Sequence, residues 1–281
     1  MGKTLVGFVT FGNLEFTKLA VNSVIETTGN EIDFFGVVGK PGDAETDDWL
    51  CDMGINHTVH MENFGFPYSL NDIYDYAWVM NDYDNLIIMG NDIIVYPFAI
   101  DALINFANTT DYNVVSSLQY DVRDLVKEFP ETAHLFLKDS MILTDFSSEP
   151  WKLFTNYGGK TEVADMKLFD IQNLCLYKKR VFDIIGYTDV NFYPAYYVDN
   201  DYARRIVIAN LNHCSLVNAR FFHFWSRTIH QETGGSNSSY FDNNRKYYRM
   251  KWGGNFGSET KNPGIIIDNR DYELDTISKW R

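Results

Sequence analysis

Short apolar runs alternate with amphipathic segments along the first part of the chain. Thr4–Thr10 and Ile32–Val38 are apolar and strand-like, and between them Glu15–Thr28 repeats apolar residues at helical spacing. A strand, a helix and a second strand in this order form a right-handed unit with parallel strands. The pattern therefore predicts an α/β domain of Rossmann-like type, with a mixed, mainly parallel sheet flanked by helices.

The most apolar strand is predicted at Leu86–Met89. Four consecutive apolar side chains are typical of a strand that is covered on both faces. Gly90, Asn91 and Asp92 follow it, and a helix is predicted over Pro97–Asn108. Because a buried strand has little room for charge, we expect Asp92 at its carboxyl end, where open α/β sheets bind their ligands.

The second half of the chain continues the alternation less regularly. Further strands are predicted at Asp111–Gln119, Ile171–Tyr177 and Ser215–Phe222, and a helix at Val198–Leu211. The stretch Asp121–Gly159 is aromatic-rich and predicted to be helical. We interpret it as an insertion in the α/β domain.

Composition narrows the class of protein. The chain has 281 residues, of which 45% are hydrophobic and 22% charged, as expected for a globular protein. No apolar run reaches the roughly 18 residues of a membrane span, and the start has no signal-peptide layout. Cys51, Cys175 and Cys214 are odd in number and lack metal-ligand spacing, so they are predicted to be reduced thiols. These features predict a cytoplasmic protein.

The net charge of −14 argues against general adhesion to nucleic acid or to anionic membranes. A local basic surface stays open, because one C-terminal stretch holds five basic residues: Arg227, Arg245, Lys246, Arg249 and Lys251.

Several segments resemble the GT-A glycosyltransferases, in particular the family-2-like enzymes. One is the apolar strand with Gly90-Asn91-Asp92 and the "Ile-x-x-Pro" pattern that follows it. The resemblance implies that Asn91 and Asp92 contact a nucleotide-sugar donor and that Asp92 binds its metal. Gly90 stands where such enzymes often have a second Asp or Asn. Read alone, the segment is an Asn-Asp turn after a buried strand.

Two loops resemble the donor-binding loops of the family. The loop after the first strand supplies Thr10, Gly12 and Asn13. The "Glu-Asn-x-Gly-Phe-x-x-x-x-Asn" loop at residues 62–71 supplies Asn63, Gly65 and Asn71. Glycine lets the backbone approach a ligand closely, and a following helix start offers N–H groups to an anion. Gly39 stands where the family usually has an Asp, which leaves the nucleotide open.

Val198-Asp199-Asn200-Asp201 resembles the family's "Glu-Asp-x-Asp" element, with Val198 in place of Glu. The resemblance implies that Asp199 is the general base of an inverting transfer, and that Asp201 supports the loop. Both residues also suit the start of a helix, where the dipole favours acidic side chains.

The strand Ser215–Phe222 leads to His223, Trp225 and Ser226. In related enzymes a His here completes the coordination of a divalent cation. The resemblance therefore implies a Mn²⁺ or Mg²⁺ site made by Asp92 and His223, with Trp225 and Ser226 on the acceptor side or in support. From the residue alone, a histidine among aromatic side chains is more often a hydrogen-bonded core residue, and its place after the Asp199 helix makes the metal interpretation equally strong.

The segment ending in Lys251-Trp252-Gly253-Gly254 resembles the family's C-terminal helix and turn. It implies that Lys251 meets a donor phosphate and that Trp252 stacks on a sugar or covers the site. The alternative is a surface helix with an extended Lys and an aromatic anchor.

The resemblance covers residues 4–254 and implies one domain over 1–255, with a nucleotide-binding half at 1–120, an acceptor half at 121–255 and an extension at 256–281. The expected activity is a metal-assisted transfer, with inversion, from a nucleotide sugar, a uridine diphosphate sugar by default. The acceptor would be a hydroxyl of a glycan, a protein or a modified nucleobase. A silent sugar-nucleotide or carbohydrate-binding module is the other alternative.

Overall fold

The computed structural model describes residues 2–120, 151, 162–164, 173–224 and 238–263. Its strands are β1 (Thr4–Thr10), β2 (Asp33–Val38), β3 (Asn56–Val59), β4 (Asn85–Met89), β5 (Ile93–Val95), β6 (Val114–Tyr120), β7 (Val163–Ala164), β8 (Leu174–Lys178) and β9 (His213–His223). Its α-helices are α1 (Leu14–Thr27), α2 (Ala44–Asp52), α3 (Phe66–Tyr74), α4 (Ala99–Thr109), α5 (Lys179–Ile185), α6 (Val198–Ile208) and α7 (Ser238–Trp252). A π-helical turn, Asp75–Met80, extends α3, and a 3₁₀ turn, Val190–Phe192, precedes α6.

One mixed sheet joins these strands in the order β3-β2-β1-β4-β8-β6-β9-β5, with β7 beside β9. The first four strands in this order are parallel. Strand β8 is antiparallel to both β4 and β6, and β9 is parallel to β6. Six strands, β1 to β4 with β6 and β9, therefore point their carboxyl ends toward one edge, which we call the carboxyl edge.

Helices cover both faces of the sheet. One core contains side chains of α1, α2 and α4, and the other contains side chains of α3, α5, α6 and α7. In α4 the predicted apolar face is buried, with Ile100 and Leu103 fully inaccessible. This arrangement confirms the prediction of an α/β fold with a mixed sheet between helices.

Several elements differ from the predicted ones, and three of these differences are near the carboxyl edge or in the helix that carries Asp199. The apolar run after Asn85 forms two strands, because Gly90, Asn91 and Asp92 carry the chain from β4 to β5, which pairs with β9 instead of extending β4. Helix α4 begins at Ala99 and not at Pro97, since Phe98 has a left-handed backbone with φ 66°. Helix α6 ends at Ile208, three residues early.

Some predictions lie outside the described residues. They include almost all of the helical insertion over Asp121–Gly159 and the tail beyond residue 263. Among the helices that the structure describes, each is too short or too polar to cross a lipid bilayer.

Candidate functional site

Strand pairing brings Asp92 and His223 together at the carboxyl edge. Asp92 stands directly before β5, and His223 ends β9, where it is the ladder partner of Ile93. The N–H of Phe224 donates to the carbonyl of Asp92 at 3.0 Å, which closes the ladder at this point. A carboxylate Oδ1 of Asp92 consequently lies 3.2 Å from Nε2 of His223.

Gln119 fixes the orientation of the His223 ring. Its Oε1 accepts a hydrogen bond from Asn173 Nδ2 at 3.2 Å and lies 3.2 Å from His223 Nδ1. An oxygen in this position requires a proton on Nδ1, which leaves the Nε2 lone pair for the other side of the ring. Nε2 then faces the Asp92 carboxylate, a second electron-pair donor.

Two electron-pair donors at this separation call for a proton or a cation between them. A carboxylate oxygen and an imidazole nitrogen are ligands that Mn²⁺ accepts, and a second hydrogen bond that fixes the ring is typical of metal-binding histidines. The two side chains are only 12% and 14% exposed, so the pair is sheltered yet accessible. The residues present therefore fit the cation that the sequence predicts.

Gln119 and Asn173 were not predicted as site residues. Gln119 is the last residue but one of β6, and Asn173 directly precedes β8. The available signal was positional, because polar residues at strand ends on the carboxyl edge are candidates in any open α/β sheet.

The predicted loop after β1 is held by a chain of buried hydrogen bonds. Thr10 Oγ1 is 2.9 Å from Thr17 Oγ1, which accepts a bond from Asn91 Nδ2 at 3.3 Å. Gly12 and Asn13 both have left-handed φ angles, and the carbonyl of Asn13 accepts bonds from the first turn of α1. This network connects the start of α1 to the residue beside Asp92.

Thr10 itself needs a correction. The sequence predicts that it contacts the donor, but the side chain is fully buried and its hydroxyl is bonded to Thr17 and to the carbonyl of Gly12. Its side chain therefore holds the loop in shape and exposes no surface to a ligand.

The loop at Gly65 packs against the segment that precedes α6. Gly65 has φ 85°, its N–H donates to Oδ1 of Asn63 at 3.0 Å, and a Cβ at this position would lie 3.1 Å from the Cα of Pro194. Phe66 N donates to the carbonyl of Pro194, which follows a cis peptide bond, at 2.7 Å. The glycine thus permits close packing of protein backbone in this structure.

Asn71 also has a different role from the predicted one. It is buried inside α3, and its Oδ1 accepts bonds from the backbone N–H of Thr188 at 2.9 Å and from the Thr188 hydroxyl at 2.7 Å. Its Nδ2 donates to the carbonyl of Thr188. With its polar atoms committed in this way, Asn71 joins two segments of the fold and is not a donor contact.

Helix α6 begins at the carboxyl edge, the same edge as Asp92 and His223. The segment before it contacts the loop after β3 through Pro194, and that loop follows the carboxyl end of its strand. The helix ends shortly before Asn212, whose carbonyl accepts from Asn113 at the start of β6, at the opposite edge. The first turn of α6, with Asp199, is therefore on the side of the molecule where β4 and β9 end.

Asp199 is a carboxylate with an altered acidity. Burial raises its pKa from 3.8 to about 6, although the backbone N–H groups of Asn200 and of Asp199 itself act in the opposite direction. One oxygen accepts the N–H of Asn200 at 2.8 Å. The residue as a whole is partly accessible, and its buried carboxyl changes protonation close to neutral pH.

Asp201, two residues further on, is buried without exposed surface. Its Oδ1 accepts hydrogen bonds from Lys251 Nζ at 2.6 Å and Trp252 Nε1 at 2.8 Å, and its Oδ2 from Arg205 Nε at 3.1 Å. An acceptor substrate cannot contact the carboxylate of Asp201, because it has no exposed surface. These hydrogen bonds support the first turn of α6 from the protein interior.

Lys251 and Trp252 therefore do not take the roles that the sequence predicts. Lys251 Nζ also lies 2.7 Å from Oδ2 of Asp189, and only 9% of its side chain is exposed. Trp252 is completely buried. Both side chains hold α7 against α6, so neither contacts a phosphate or a sugar here.

Asp189 completes this buried charge cluster and was not predicted. Burial would raise its pKa, but Lys251 and the hydrogen bonds from Asn191 outweigh burial and lower it. Tyr247 also donates to its Oδ2, at 2.9 Å. No local sequence signal identified it, because its partners Tyr247 and Lys251 lie 58 and 62 residues further along the chain.

Trp225 and Ser226 lie outside the described residues, directly after Phe224. Their predicted place on the acceptor side stays a prediction.

No protein-family model matches this sequence, and no curated protein sequence matches it. The fold does match those of solved structures. The mannosyltransferase PcManGT from Pyrobaculum calidifontis, in complex with GDP-Man and Mn²⁺, aligns with 82% of this chain at 12% identity and a TM-score of 0.56. GalNAc-T7 with UDP, GalNAc and Mn²⁺ aligns with 90% of this chain at 11% identity and a TM-score of 0.58.

The chain spans 59% of the first of these structures and 48% of the second. At such low identity the likeness concerns the path of the backbone, which agrees with the strand order and with the helices on both faces. The protein has the GT-A fold of the nucleotide-sugar glycosyltransferases.

Proposed function

We propose that the protein is a glycosyltransferase that moves a sugar from a nucleotide-sugar donor to an acceptor hydroxyl, with the help of a divalent cation and with inversion at the anomeric carbon. The observation that carries the proposal is the pair formed by Asp92 and His223, sheltered at the carboxyl edge of a GT-A sheet and 3.2 Å apart. Two similar structures contain a nucleotide and Mn²⁺, which supports a donor of this class.

Asp92 and His223 would hold Mn²⁺ or Mg²⁺. Such a cation, when bound, offsets the negative charge that develops on the departing nucleoside diphosphate. Gln119 accepts from Nδ1 of His223, so in the neutral ring the lone pair of Nε2 faces Asp92. With Gly90 beside Asp92, the protein supplies few oxygen ligands at this point, so we expect weak cation affinity until the donor's phosphates are present.

Asp199 would act as the general base. As the acceptor oxygen bonds to the anomeric carbon, the bond from that carbon to the diphosphate oxygen breaks on the opposite face, and the hydroxyl proton passes to the Asp199 carboxylate. A base is most effective when its pKa lies near the working pH, and burial brings the pKa of Asp199 to about 6. The carboxylate is thus mostly ionised at pH 7 yet is a stronger base than an ordinary Asp.

The buried cluster beneath α6 would keep that carboxylate in place. Asp201 and Asp189 are matched in charge by Lys251 and Arg205, and Arg205 also donates to the carbonyls of Ile185 and Tyr187. A cluster with balanced charges and several buried hydrogen bonds fixes the start of the helix, which limits the movement of Asp199.

A nucleic-acid acceptor receives less support. The C-terminal basic stretch was its main argument, but Lys251 is neutralised by two buried carboxylates and Arg245 lies 2.8 Å from Asp242. Lys246 and Arg249 stay exposed on α7. A silent binding module is the other alternative, and Gly39 and Val198 keep it open because each replaces a polar residue of the family pattern.

The first experiment is a thermal-shift panel of nucleotide sugars with and without Mn²⁺, with a uridine diphosphate sugar as the default donor. A donor that binds the folded state raises the melting temperature by mass action. We expect one donor to do so in the presence of Mn²⁺ and to release nucleoside diphosphate when incubated with the protein.

The outcomes separate the hypotheses. Binding without release of nucleoside diphosphate, even with a panel of acceptors, would favour the silent module. If no nucleotide sugar changes the melting temperature at any Mn²⁺ concentration, the proposed function is wrong.

A further inference from the structure

Another histidine–carboxylate pair lies on the opposite flank of the sheet, together with a cysteine. His57 on β3 places Nε2 2.8 Å from Oδ1 of Asp47 on α2, and the same oxygen is 4.0 Å from Sγ of Cys51. One ligand atom from each residue lies within 4.8 Å of the other two. Asp47 and Cys51 are four residues apart on one helix, so both point toward the strand that carries His57.

The backbone decides how the His57 ring is protonated. Nδ1 lies 2.8 Å from the carbonyl oxygen of Ile55, which can only accept, so Nδ1 carries a proton. In neutral histidine Nε2 then has a bare lone pair, and it faces the Asp47 carboxylate at hydrogen-bond distance. The contact is favourable only with a second ring proton or with a cation between the two groups.

Histidine binds metals in this state, with the Nδ1 proton in a hydrogen bond and an unshared electron pair on Nε2. A backbone carbonyl that holds the other ring nitrogen is a common outer-shell contact of such ligands, because it fixes both the tautomer and the ring orientation. The cysteine adds a third, softer ligand on the same side. Cys51 is exposed, so an ion and its water can reach it.

We propose that Asp47, Cys51 and His57 bind Zn²⁺, with the fourth position open to water. A thiolate, an imidazole and a carboxylate are the three ligand types of zinc, and Zn–S and Zn–N bonds of about 2.3 and 2.0 Å fit ligand atoms that lie a few ångströms apart. Mg²⁺ and Ca²⁺ prefer all-oxygen sites, so the thiolate disfavours them. The binding releases the thiol proton of Cys51 to solvent.

This site is separate from the proposed donor site. Strand β3 is the outer strand of its side of the sheet, and β2 and β1 lie between it and β4. At about 4.8 Å per strand, His57 is roughly 14 Å from the strand that leads to Asp92. His57 is also the second residue of β3, away from the carboxyl edge. Zinc binding here therefore does not depend on the glycosyltransferase proposal.

The test uses Co²⁺ as a spectroscopic substitute for Zn²⁺ on the full chain, kept reduced with a phosphine. Only a thiolate ligand gives a sulfur-to-cobalt charge-transfer band, so Co²⁺ at Asp92 and His223 contributes nothing to it. We expect the band to saturate at one equivalent and to disappear when one equivalent of Zn²⁺ is added.

Three variants locate the site. Cys51→Ser should abolish the band, and His57→Gln should weaken Zn²⁺ binding by at least the tenfold to hundredfold that loss of an outer-shell partner costs. Asp48→Asn is the matched control, because Asp48 is an exposed neighbour on the same helix. It makes the same charge change as Asp47→Asn and should bind Zn²⁺ like the unaltered protein, whereas Asp47→Asn should not.

A second measurement avoids dependence on how the variants fold. Zn²⁺ should slow the alkylation of Cys51 in the unaltered protein, as mapped by mass spectrometry after digestion. Unchanged alkylation of Cys51 at saturating Zn²⁺, or a cobalt band that persists in Cys51→Ser, would overturn the proposal. In that case His57 and Asp47 form an ion pair only.

Discussion

Nε2 of His223 lies 3.2 Å from Oδ1 of Asp92 because the last residue of β9 is paired with the first residue of β5. The two residues are 131 positions apart in the sequence, and the antiparallel ladder alone brings them together. Gln119 on β6, which also pairs with β9, sets the ring tautomer. The geometry of this pair thus depends on three strands of one sheet.

The first prediction concerns this pair. Asp92→Asn and His223→Gln each remove one cation ligand while keeping the size of the side chain. We expect the Mn²⁺-dependent rise in melting temperature with the donor to be lost or strongly reduced in both, since donor and cation bind together. The measurement is thermal shift across a Mn²⁺ titration at fixed donor concentration.

Asp111→Asn is the control for this titration, because Asp111 is an exposed carboxylate before β6. It should titrate like the unaltered protein. If Asp92→Asn titrates like the control, Asp92 is not a cation ligand.

The second prediction concerns the reaction rate. In Asp199→Asn the side chain keeps its size but cannot accept a proton, so we expect the turnover number to fall by about 10²–10⁴ with little change in donor affinity. In the unaltered protein, activity should fall as the pH drops below about 6, where Asp199 becomes protonated. An equal loss of donor binding, or a pH profile without an acidic limb, would indicate a structural role.

The third prediction concerns stability and follows from the same carboxylate. Its pKa in the folded protein, about 6, is higher than the 3.8 of an ordinary Asp, so the folded state binds the proton more tightly than the unfolded state. Ionisation therefore costs stability above pH 6 and costs nothing below pH 4. We expect Asp199→Asn to raise the free energy of unfolding by on the order of 1–2 kcal/mol at pH 7.5, after allowance for the partial exposure of the residue.

Denaturant unfolding at pH 7.5 and at pH 4 measures this difference. The gain should be absent at pH 4. Equal stability of the two proteins at both values would mean that burial does not disfavour the ionised form, and the basis for a tuned general base would be lost.

The sequence predicts the fold and part of the site for a local reason. Neighbouring residues determine the apolar strands, the βαβ order and the position of Asp92 after a buried strand. The spacing of apolar residues along the chain therefore predicts these features directly. The separation of β5 from β4 could not be predicted, because Ile93–Val95 is as apolar as the strand before it. Only pairing with β9, far along the chain, distinguishes the two.

Lys251 shows what sequence reasoning missed. A Lys in a basic, aromatic stretch is typical of an exposed phosphate contact, and nothing local indicates that two carboxylates 50 and 62 residues away neutralise it. Asn71 is a similar case, since its partner Thr188 is 117 residues away. Neither a sequence motif nor the spacing of apolar residues can identify the partner of a side chain when that partner lies far along the chain.

The fourth prediction tests the buried cluster. Lys251→Met keeps the aliphatic stem but removes the charge, so Asp189 and Asp201 share only Arg205 as a buried counter-charge. Removing one partner of a buried ion pair typically costs about 3–5 kcal/mol, and we expect a loss of this order in the free energy of unfolding. Lys246→Met, at an exposed position of the same helix, should change it by less than about 0.5 kcal/mol.

Donor binding separates the two roles of Lys251. Conditions that keep Lys251→Met folded, such as low temperature, should leave its donor affinity close to that of the unaltered protein. If Lys251→Met is as stable as the unaltered protein but no longer binds the donor, Lys251 does not serve the buried cluster and instead contacts a donor phosphate.

The fifth prediction concerns Gly65, whose backbone has φ 85° and packs against the segment before α6. In Gly65→Ala the new Cβ would lie 2.7 Å from a ring carbon of Tyr193 and 3.1 Å from the Cα of Pro194, closer than real Cβ atoms tolerate without movement. The ring can rotate, but the Pro194 backbone cannot move without shifting the start of α6. We therefore expect both a loss of stability and a fall in turnover, since Asp199 lies in that first turn.

Gly42→Ala separates the steric effect from the backbone effect. Gly42 also has a positive φ, 73°, but a Cβ there would have no atom within 4 Å. It should cost only the roughly 1–2 kcal/mol of a left-handed backbone and leave turnover unchanged. Gly65→Ala should cost more and should slow the reaction, as measured by denaturant unfolding and by release of nucleoside diphosphate. Equal effects of the two substitutions would mean that the contact between this loop and Pro194 does not position the catalytic helix.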